Sequence, residues 1–217
     1  DDSARDLNRE IEAVHAVGEA VGDEMDLMHD PACELETFAD ALTLGQALDE
    51  EDFFWYEDPY RDAGTSQHAH RKLGQHLDTP LLQTEHVRGL ELKNDFVANE
   101  ATDFVRADPE YDAGITGAMK VARMAESFGL DVEYHAPGPA QRHCIAATRN
   151  TNYYEMALVH PDCQNTTPPI YDGDYDDQLD SVDDDGMLPV PDGPGLGVEY
   201  DWDYIEANQT GSIHVYE

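Results

Sequence analysis

Apolar positions along the chain alternate between a helical period and short apolar runs. The first predicted helix has Ser3 as its cap and five apolar residues on one face: Leu7, Ile11, Val14, Val17 and Val21. Six later runs, separated by helical segments, are predicted strands at residues 26–30, 53–57, 81–85, 103–107, 130–135 and 152–156. Strands that alternate with helices predict an α/β fold with a mainly parallel sheet.

The composition changes after Pro161, where Asp, Gly and Pro become frequent. These residues favour turns and loops, so this stretch is predicted to be an irregular tail with a short strand or two. Its apolar and aromatic residues, such as Tyr171, Leu196 and Trp202, favour partial order over disorder. The 217-residue length is sufficient for one α/β domain with a substantial core.

Acidic residues dominate the charge, with 48 Asp and Glu against 12 Lys and Arg and a formal net charge of −36. This balance argues against nucleic acid as a partner, because phosphate binding depends on Lys and Arg. Repulsion of this size destabilises a compact chain at low ionic strength, whereas salt screens it. The acids are spread along the chain, unlike an acidic disordered tail, so we expect a halophilic protein.

The cysteines and the hydropathy indicate the compartment. Cys33, Cys144 and Cys163 are odd in number and lack CxxC spacing, so neither a disulfide framework nor a thiolate metal site is expected. No apolar run is long enough to span a bilayer, and no signal-peptide pattern is present. We therefore expect a cytoplasmic protein that does not bind membranes.

Six polar residues lie at or just beyond the ends of the six predicted strands: Asp30, Glu57, Glu85, Asp108, His135 and Glu155. Each is 20 to 28 residues from the next, which is the length of one βα repeat. In a parallel α/β barrel the C-terminal strand ends converge on one mouth, where active sites lie. The spacing therefore predicts that these six residues share one site.

Three carboxylates from successive strands, Asp30, Glu57 and Glu85, supply the hard oxygen ligands that Mg²⁺ prefers. Any one of them alone is better explained as a solvated or helix-capping acid in so acidic a chain. Their regular placement after apolar strands is what favours a metal site. We therefore predict that these three residues bind Mg²⁺.

Asp108 and His135 follow adjacent strands, so a carboxylate can orient an imidazole and raise its basicity. We predict that this pair is the general acid/base. Glu155 is predicted either to hydrogen-bond a substrate oxygen or catalytic group, or to have a structural role. His86, which directly follows the proposed ligand Glu85, and Arg88, a polar residue of the same mouth, are candidate substrate contacts.

Six segments together resemble the mandelate racemase and sugar-acid dehydratase branch of the enolase superfamily. In order, they are LMHDP, WYEDP, LLQTEH, VRADPEYDAGITGAMKVARMAESFG, VEYHAPG and NYYEMAL. Each is short, but six in this order at matching spacing are specific. The closing stretch DGMLPVPDGPGLGVEYDWDYI is similar to the C-terminal tail of that family.

The resemblance implies an enolase-type TIM barrel, (β/α)7β, that is incomplete here. Residues 1–160 would be the part of the catalytic barrel that contains its third to eighth strands. Residues 161–217 would be a C-terminal tail that packs on the barrel or on the capping domain. The capping domain, the first two strands and the Lys motif of the second strand have no counterpart in the sequence. The resemblance also implies a homo-oligomer at full length.

The same resemblance implies a lyase that removes the proton α to a carboxylate and dehydrates an acid sugar, such as gluconate, xylonate or galactonate. It gives Asp30, Glu57 and Glu85 as Mg²⁺ ligands, Asp108 and His135 as the dyad, and Glu155 as a further acid of the mouth. Racemases, epimerases and cycloisomerases of the superfamily share the enediolate intermediate and are alternatives. A non-catalytic barrel relic and a different metal-dependent barrel enzyme are further alternatives.

Overall fold

The computed structural model describes residues 7–61, 64–156, 158 and 170–211. The chain divides into two compact units. The first comprises Asp1–His135 and Asn150–Tyr153, and the second comprises Ala136–Arg149 and Tyr154–Glu217. The predicted division of the chain near residue 160 stays a prediction.

The first unit contains five strands that form one parallel sheet in the order of the chain. They are β1 (Met28–His29), β2 (Trp55–Glu57), β3 (Leu81–Gln83), β4 (Phe104–Ala107) and β5 (Asp131–Tyr134). The parallel α/β architecture predicted from the sequence is confirmed. Within the described part of residues 152–156, where a sixth strand was predicted, Tyr154 alone forms a bridge.

Helices connect these strands in the manner of βα units. They are α1 (Leu7–Val21), α2 (Phe38–Glu50), α3 (Gln67–Gly74), α4 (Leu90–Ala98) and α5 (Gly114–Phe128). Thr37 and Ser66 each accept a hydrogen bond from a backbone N–H in the first turn of α2 and α3, which satisfies an otherwise unpaired donor. Gly129 ends α5 in the left-handed region, where glycine carries no steric penalty.

The main core of the first unit lies between the sheet and helices α1 to α3. Leu44 and Leu48 of α2 and Leu73 of α3 are fully buried against Tyr56 of β2 and Leu81 of β3. Because strand side chains alternate between faces, Trp55 and Glu57 lie on the opposite face of β2 from Tyr56. Both are nevertheless buried, so the second face of the sheet is also enclosed.

The second unit contains α6 (Pro139–Ala146), β6 (Tyr171–Asp172), a 3-10 turn (Leu179–Ser181), β7 (Glu199–Tyr200) and α7 (Trp202–Asn208). Strands β6 and β7 pair in antiparallel fashion. The buried Arg142 of α6 donates to the backbone oxygens of Asp176 and Pro189 and to the carboxylate of Asp177. The described part of the tail is therefore ordered. In the described chain, every helix is too short or too polar to cross a membrane.

Candidate metal and acid–base site

Five of the six predicted site residues lie at the carboxyl ends of the five parallel strands. Asp30, Asp108 and His135 directly follow β1, β4 and β5. Glu57 is the last residue of β2, and Glu85 lies two residues beyond β3. The sheet therefore brings together at one edge residues that span more than 100 positions of sequence.

A compact group of carboxylates forms at this edge. Glu57, Asp58 and Glu85 each offer an oxygen, and these three oxygens lie within 4.8 Å of one another. Asp30 is not a member of this group; its Oδ1 accepts a hydrogen bond of 2.6 Å from the backbone N–H of Ala32. The geometry brings Glu57 and Glu85 together as predicted and adds Asp58, which the sequence analysis did not select.

Burial and mutual repulsion act strongly on this group. Burial raises the pKa of Glu57 to about 7, although Arg106 opposes the shift and the charges of Asp30 and Glu85 add to it. Burial, followed by the charges of Glu57 and Glu85, raises the pKa of Asp58 to about 8. Carboxylates that are desolvated and close together are stabilised by a cation. Oxygen donors of this type fit Mg²⁺.

Glu57 also has a buried protein partner that the sequence analysis missed. Arg106 of β4 donates from Nε and from one terminal nitrogen to the two oxygens of Glu57, at 2.7 and 2.6 Å. Such a two-pronged pair fixes the plane of the carboxylate. The buried pair joins two strands that are not adjacent in the sheet, at residues 49 positions apart in sequence.

The backbone just before Glu85 is strained. Thr84 has φ of +88°, a rare value for a β-branched residue and one that costs about 1–3 kcal/mol. Its hydroxyl donates to the backbone oxygen of Arg106 at 3.0 Å. This contact between β3 and β4 helps to hold Glu85 in place at the end of its strand.

Asp108 and His135, the predicted acid/base residues, are in contact. His135 Nδ1 lies 2.7 Å from Asp108 Oδ2, and His135 Nε2 lies 3.5 Å from Glu85 Oε1. Burial is the strongest single influence on the pKa of Asp108 and would raise it. The hydrogen bonds from His135 and from the backbone N–H of Glu110, together with the charges of His135 and Lys93, outweigh burial and leave that pKa below its usual value. A carboxylate at Nδ1 favours the tautomer in which Nε2 exchanges protons. The imidazole thus lies between Asp108, which orients it, and Glu85, which belongs to the compact group of carboxylates.

The loop that carries Asp108 is anchored from behind the sheet. Lys93 of α4 is fully buried and donates to the backbone oxygen of Arg106 at 2.7 Å and to Asp112 Oδ2 at 2.9 Å. The same oxygen of Asp112 accepts the backbone N–H of Asp108 at 2.9 Å. This pair was also missed from the sequence, where a lysine in a helix is typical of an exposed surface.

The two candidate substrate contacts lie beside the carboxylates. His86 Nε2 is 3.6 Å from Glu85 Oε1 and 3.7 Å from Asp58 Oδ2. The guanidinium of Arg88 stacks over Tyr111, 4.0 Å from the ring centroid, and Tyr111 in turn stacks on His135 with ring centroids 5.9 Å apart. The structure therefore positions both basic side chains at the same end of the sheet.

Glu155 belongs to the second unit. There its carboxylate accepts a hydrogen bond of 3.1 Å from the backbone N–H of Ala136. This contact fits a structural role for Glu155, which is one of the two roles predicted from the sequence. A role in catalysis stays a prediction.

Cys33 and Cys144 are free thiols, whereas Cys163 lies outside the described residues. Burial, followed by the negative charge of Asp58, raises the pKa of the Cys33 thiol to about 12. The Cys33 sulfur lies within 4.8 Å of donor atoms of Asp58 and His86. The sequence analysis expected no thiolate metal site, because the cysteines are odd in number and lack CxxC spacing.

Curated relatives of this chain are sugar-acid dehydratases. A D-galactonate dehydratase family member of Oceanicola granulosus is 28% identical over 208 residues, which are 92% of this chain and 48% of that protein. Arabinonate dehydratase of Saccharolobus solfataricus is 28% identical, over 89% of this chain and 50% of that protein. D-xylonate dehydratase of Haloferax volcanii is 27% identical, over 94% and 48%. The chain therefore spans about half the length of these relatives.

The fold of this chain is similar to the folds of solved structures. D-glucarate dehydratase from Agrobacterium tumefaciens, complexed with magnesium, superposes with a TM-score of 0.82 at 32% identity, over 94% of this chain and 52% of that one. A family model described as "Enolase C-terminal domain-like" matches residues 2–204. The partial barrel of the resemblance is thus confirmed, and the chain belongs to the enolase C-terminal domain-like family.

Proposed function

We propose that this chain is the catalytic part of a Mg²⁺-dependent hydro-lyase that dehydrates a sugar acid, an aldonate such as gluconate, xylonate or galactonate. The observation that carries the proposal is the placement of His135, with Nδ1 2.7 Å from Asp108 and Nε2 3.5 Å from Glu85. The imidazole of His135, which would transfer a proton, and the carboxylate of Glu85, which would bind the metal ion, are thereby close enough to act on one substrate.

Glu57 and Glu85 are the proposed core of the metal site, with Asp30 as the third ligand. Both glutamates belong to the compact carboxylate group, and the charge of Asp30 acts on the pKa of Glu57. When bound, Mg²⁺ supplies positive charge that stabilises the anion formed when the α-proton of a carboxylate substrate leaves. Arg106 fixes the orientation of Glu57 through hydrogen bonds to both of its carboxylate oxygens.

His135 then exchanges a proton with the substrate through Nε2, either as the acid that protonates the departing β-hydroxyl or as the base at the α-carbon. Asp108 holds Nδ1 and stabilises the protonated ring. His86 and Arg88 are proposed to contact the substrate hydroxyls and carboxylate. The enediolate form of the substrate is the proposed intermediate in both cases, whether His135 is the acid or the base.

A racemase, epimerase or cycloisomerase of the same superfamily is the alternative activity. A putative mandelate racemase from Bordetella bronchiseptica matches the chain with a TM-score of 0.80 at 27% identity. Dehydration is favoured because the curated relatives described above are dehydratases. A barrel relic without activity is the third possibility, against which the assembled dyad argues.

The decisive experiment is an assay of the full-length protein on a panel of aldonates with Mg²⁺, with detection of 2-keto-3-deoxy acids. We expect one or more acids to yield that product, and we expect His135→Asn to abolish it. Inverted or isomerised substrate without loss of water would replace dehydration by the alternative activity. No turnover together with unchanged, weak Mg²⁺ affinity in Glu57→Gln would favour the relic.

We also propose that the protein works in a salt-rich cytoplasm and forms a homo-oligomer at full length. The charge of −36 supports the first point, because salt screens the repulsion between acids. The melting temperature of the full-length protein should therefore rise between 0.1 and 2 M KCl. A melting temperature that falls with added KCl would contradict adaptation to salt.

A further inference from the structure

We infer that Cys33, Asp58 and His86 form a second cation site, adjacent to the proposed Mg²⁺ ligands, that takes a borderline transition-metal ion of the Zn²⁺ class. A sulfur, a carboxylate oxygen and an imidazole nitrogen, one from each residue, lie within 4.8 Å of one another. This cation site is inferred from the positions and the burial of its donor atoms, and it does not depend on the proposed reaction.

The donor distances are close to those of a bound ion. Asp58 Oδ2 lies 3.7 Å from His86 Nε2. Zinc binds nitrogen and oxygen at about 2.0–2.2 Å and sulfur at about 2.3 Å in a tetrahedral arrangement, so the donors of one ion lie about 3.3–3.7 Å apart. The Asp58–His86 pair is already at this separation, and the remaining donor pairs, within 4.8 Å, must approach by at most about 1.5 Å.

Asp58 supplies a second, independent indication of a ligand. Its side chain is only 4% exposed, and its buried Oδ2 has no hydrogen-bond partner among the described residues. A buried carboxylate oxygen without a partner costs free energy, whereas a bound cation satisfies it. The same oxygen lies near the ring nitrogen of His86, and Glu57 and Glu85 add negative charge nearby.

The backbone connects the loops that carry two of the ligands. The backbone N–H of Cys33 donates to the carbonyl oxygen of Asp58 at 2.9 Å, and Leu35 forms a parallel bridge with Tyr60. Cys33 and Asp58 both have positive φ, at 57° and 33°. The two donors are therefore fixed relative to each other before an ion binds.

The chemistry of the donors distinguishes this site from the Mg²⁺ site. Mg²⁺ prefers oxygen alone, whereas a thiolate and an imidazole favour Zn²⁺ and related ions. The Cys33 thiol must lose its proton to bind, and the incoming cation drives that loss. Asp58 then serves the second ion while Asp30, Glu57 and Glu85 remain for Mg²⁺.

One consequence does rest on the proposed function. His86 is a proposed substrate contact, and an ion bound to its Nε2 removes that nitrogen from the substrate. Zn²⁺ should therefore inhibit the dehydration of an aldonate, and Cys33→Ser should reduce this inhibition at least about tenfold. Loss of a metal ligand's supporting hydrogen bond already costs about 10–100-fold in affinity, so loss of the ligand itself costs at least as much.

The site is tested by titrating the full chain with Co²⁺, a spectroscopic substitute for Zn²⁺, in excess Mg²⁺. We expect one Co²⁺ with the near-ultraviolet charge-transfer absorption of a thiolate ligand, and displacement by Zn²⁺. Cys33→Ser should abolish the band, and His86→Asn should weaken Zn²⁺ at least about tenfold. Cys144→Ser and His68→Asn, which change a thiol and an exposed imidazole elsewhere, should change neither.

Alkylation of the unsubstituted chain gives a second measurement that needs no variant. Zn²⁺ should slow the modification of Cys33 at least about tenfold, as mapped by mass spectrometry, and leave Cys144 unchanged. The inference is overturned if the charge-transfer band is missing, if it persists in Cys33→Ser, or if Zn²⁺ fails to protect Cys33. None of these results bears on Mg²⁺ binding or on dehydration, so failure of this site is distinct from failure of the proposed function.

Discussion

Two polar clusters at the same edge of the sheet differ in how their buried charges are compensated. The dyad of Asp108 and His135 is complete within the protein, because Lys93 and Asp112 anchor its loop and the imidazole pairs with the carboxylate. The carboxylates Glu57, Asp58 and Glu85 instead repel one another, although Arg106 pairs with Glu57 and its charge also opposes the raised pKa of Asp58. The first cluster is thus built to move a proton, and the second is built to receive a cation.

Removal of the dyad carboxylate should have the largest effect on function. Asp108→Asn removes the charge that stabilises the protonated imidazole, and we expect turnover of the substrate to fall by about 10²–10⁴-fold, the range of general acid–base catalysis. Mg²⁺ affinity, measured by calorimetry, should stay within about twofold of the unmodified protein. A parallel loss of Mg²⁺ affinity would show that the two clusters are not separate.

The anchor of the dyad loop should dominate stability. Lys93→Met leaves Asp112 as a buried charge without its cation, which costs about 3–5 kcal/mol in the free energy of unfolding. Chemical denaturation measures this change. The matched control is Arg123→Met, which removes a partly exposed ion pair with Glu126 and should cost at most about 1 kcal/mol. Equal losses in the two variants would contradict the anchoring role.

His70 lies between these two situations, because it is a buried imidazole with a hydrogen-bond partner at one ring nitrogen and none at the other among the described residues. Its Nδ1 donates to the backbone oxygen of Ser66 at 2.8 Å, and its Nε2 is buried without a partner among the described residues. Burial lowers the pKa of His70 to about 4. The unfolded chain therefore binds more protons than the folded one between pH 6.5 and 4. The free energy of unfolding accordingly decreases as the pH is lowered through this window.

The expected loss from His70 is about 2 kcal/mol between pH 7 and pH 5. Denaturation curves at both pH values measure it. His70→Gln, which does not titrate, should lose about 2 kcal/mol less over the same interval than the unmodified protein. An identical pH dependence in the two proteins would show that His70 titrates normally in the folded state.

The smallest predicted effect concerns competition between Arg106 and a metal ion for Glu57. Arg106→Met removes a cation that now occupies both oxygens of Glu57. Mg²⁺ should bind this variant about tenfold more tightly, which corresponds to about 1.4 kcal/mol. Lys93→Met should leave Mg²⁺ affinity unchanged. Weaker binding in Arg106→Met would mean that Arg106 supports the metal site by orienting Glu57 more than it competes.

The sequence predicted the positions that depend on the βα repeat, but not those that depend on burial. Glu57, Glu85, Asp108 and His135 each follow an apolar run, so their shared edge follows from parallel strand order. Arg106, Lys93 and Asp112 become important only because the folded chain buries them beside partners 13 to 49 residues away. Linear patterns do not contain such pairings, and charged residues in helices and strands are usually exposed.

Asp30, which stays a predicted Mg²⁺ ligand, and its counterpart Asp58 show what the sequence cannot determine. Asp30 and Asp58 both follow strands of the sheet, at the ends of β1 and β2. The sequence favoured Asp30 by its place in the repeat, whereas the compact group contains Asp58. The direction of a side chain just beyond a strand depends on the local backbone, which has positive φ at Asp58. Because Asp30 is the proposed Mg²⁺ ligand and Asp58 the proposed ligand of the second ion, Asp30→Asn should weaken Mg²⁺ binding more than Asp58→Asn does.

The most direct test of the central claim is Mg²⁺ binding by isothermal calorimetry to the full-length protein and to Glu85→Gln, with Asp108→Asn as the control. Among the described residues Glu85 contacts the imidazoles of His86 and His135, whereas Glu57 pairs with Arg106, so substitution of Glu85 removes an oxygen ligand without releasing that buried arginine. We predict one Mg²⁺ per chain, an affinity at least about tenfold weaker in Glu85→Gln, and an unchanged affinity in the control. Equal affinity in all three proteins would contradict a metal site formed by the carboxylates at this edge of the sheet.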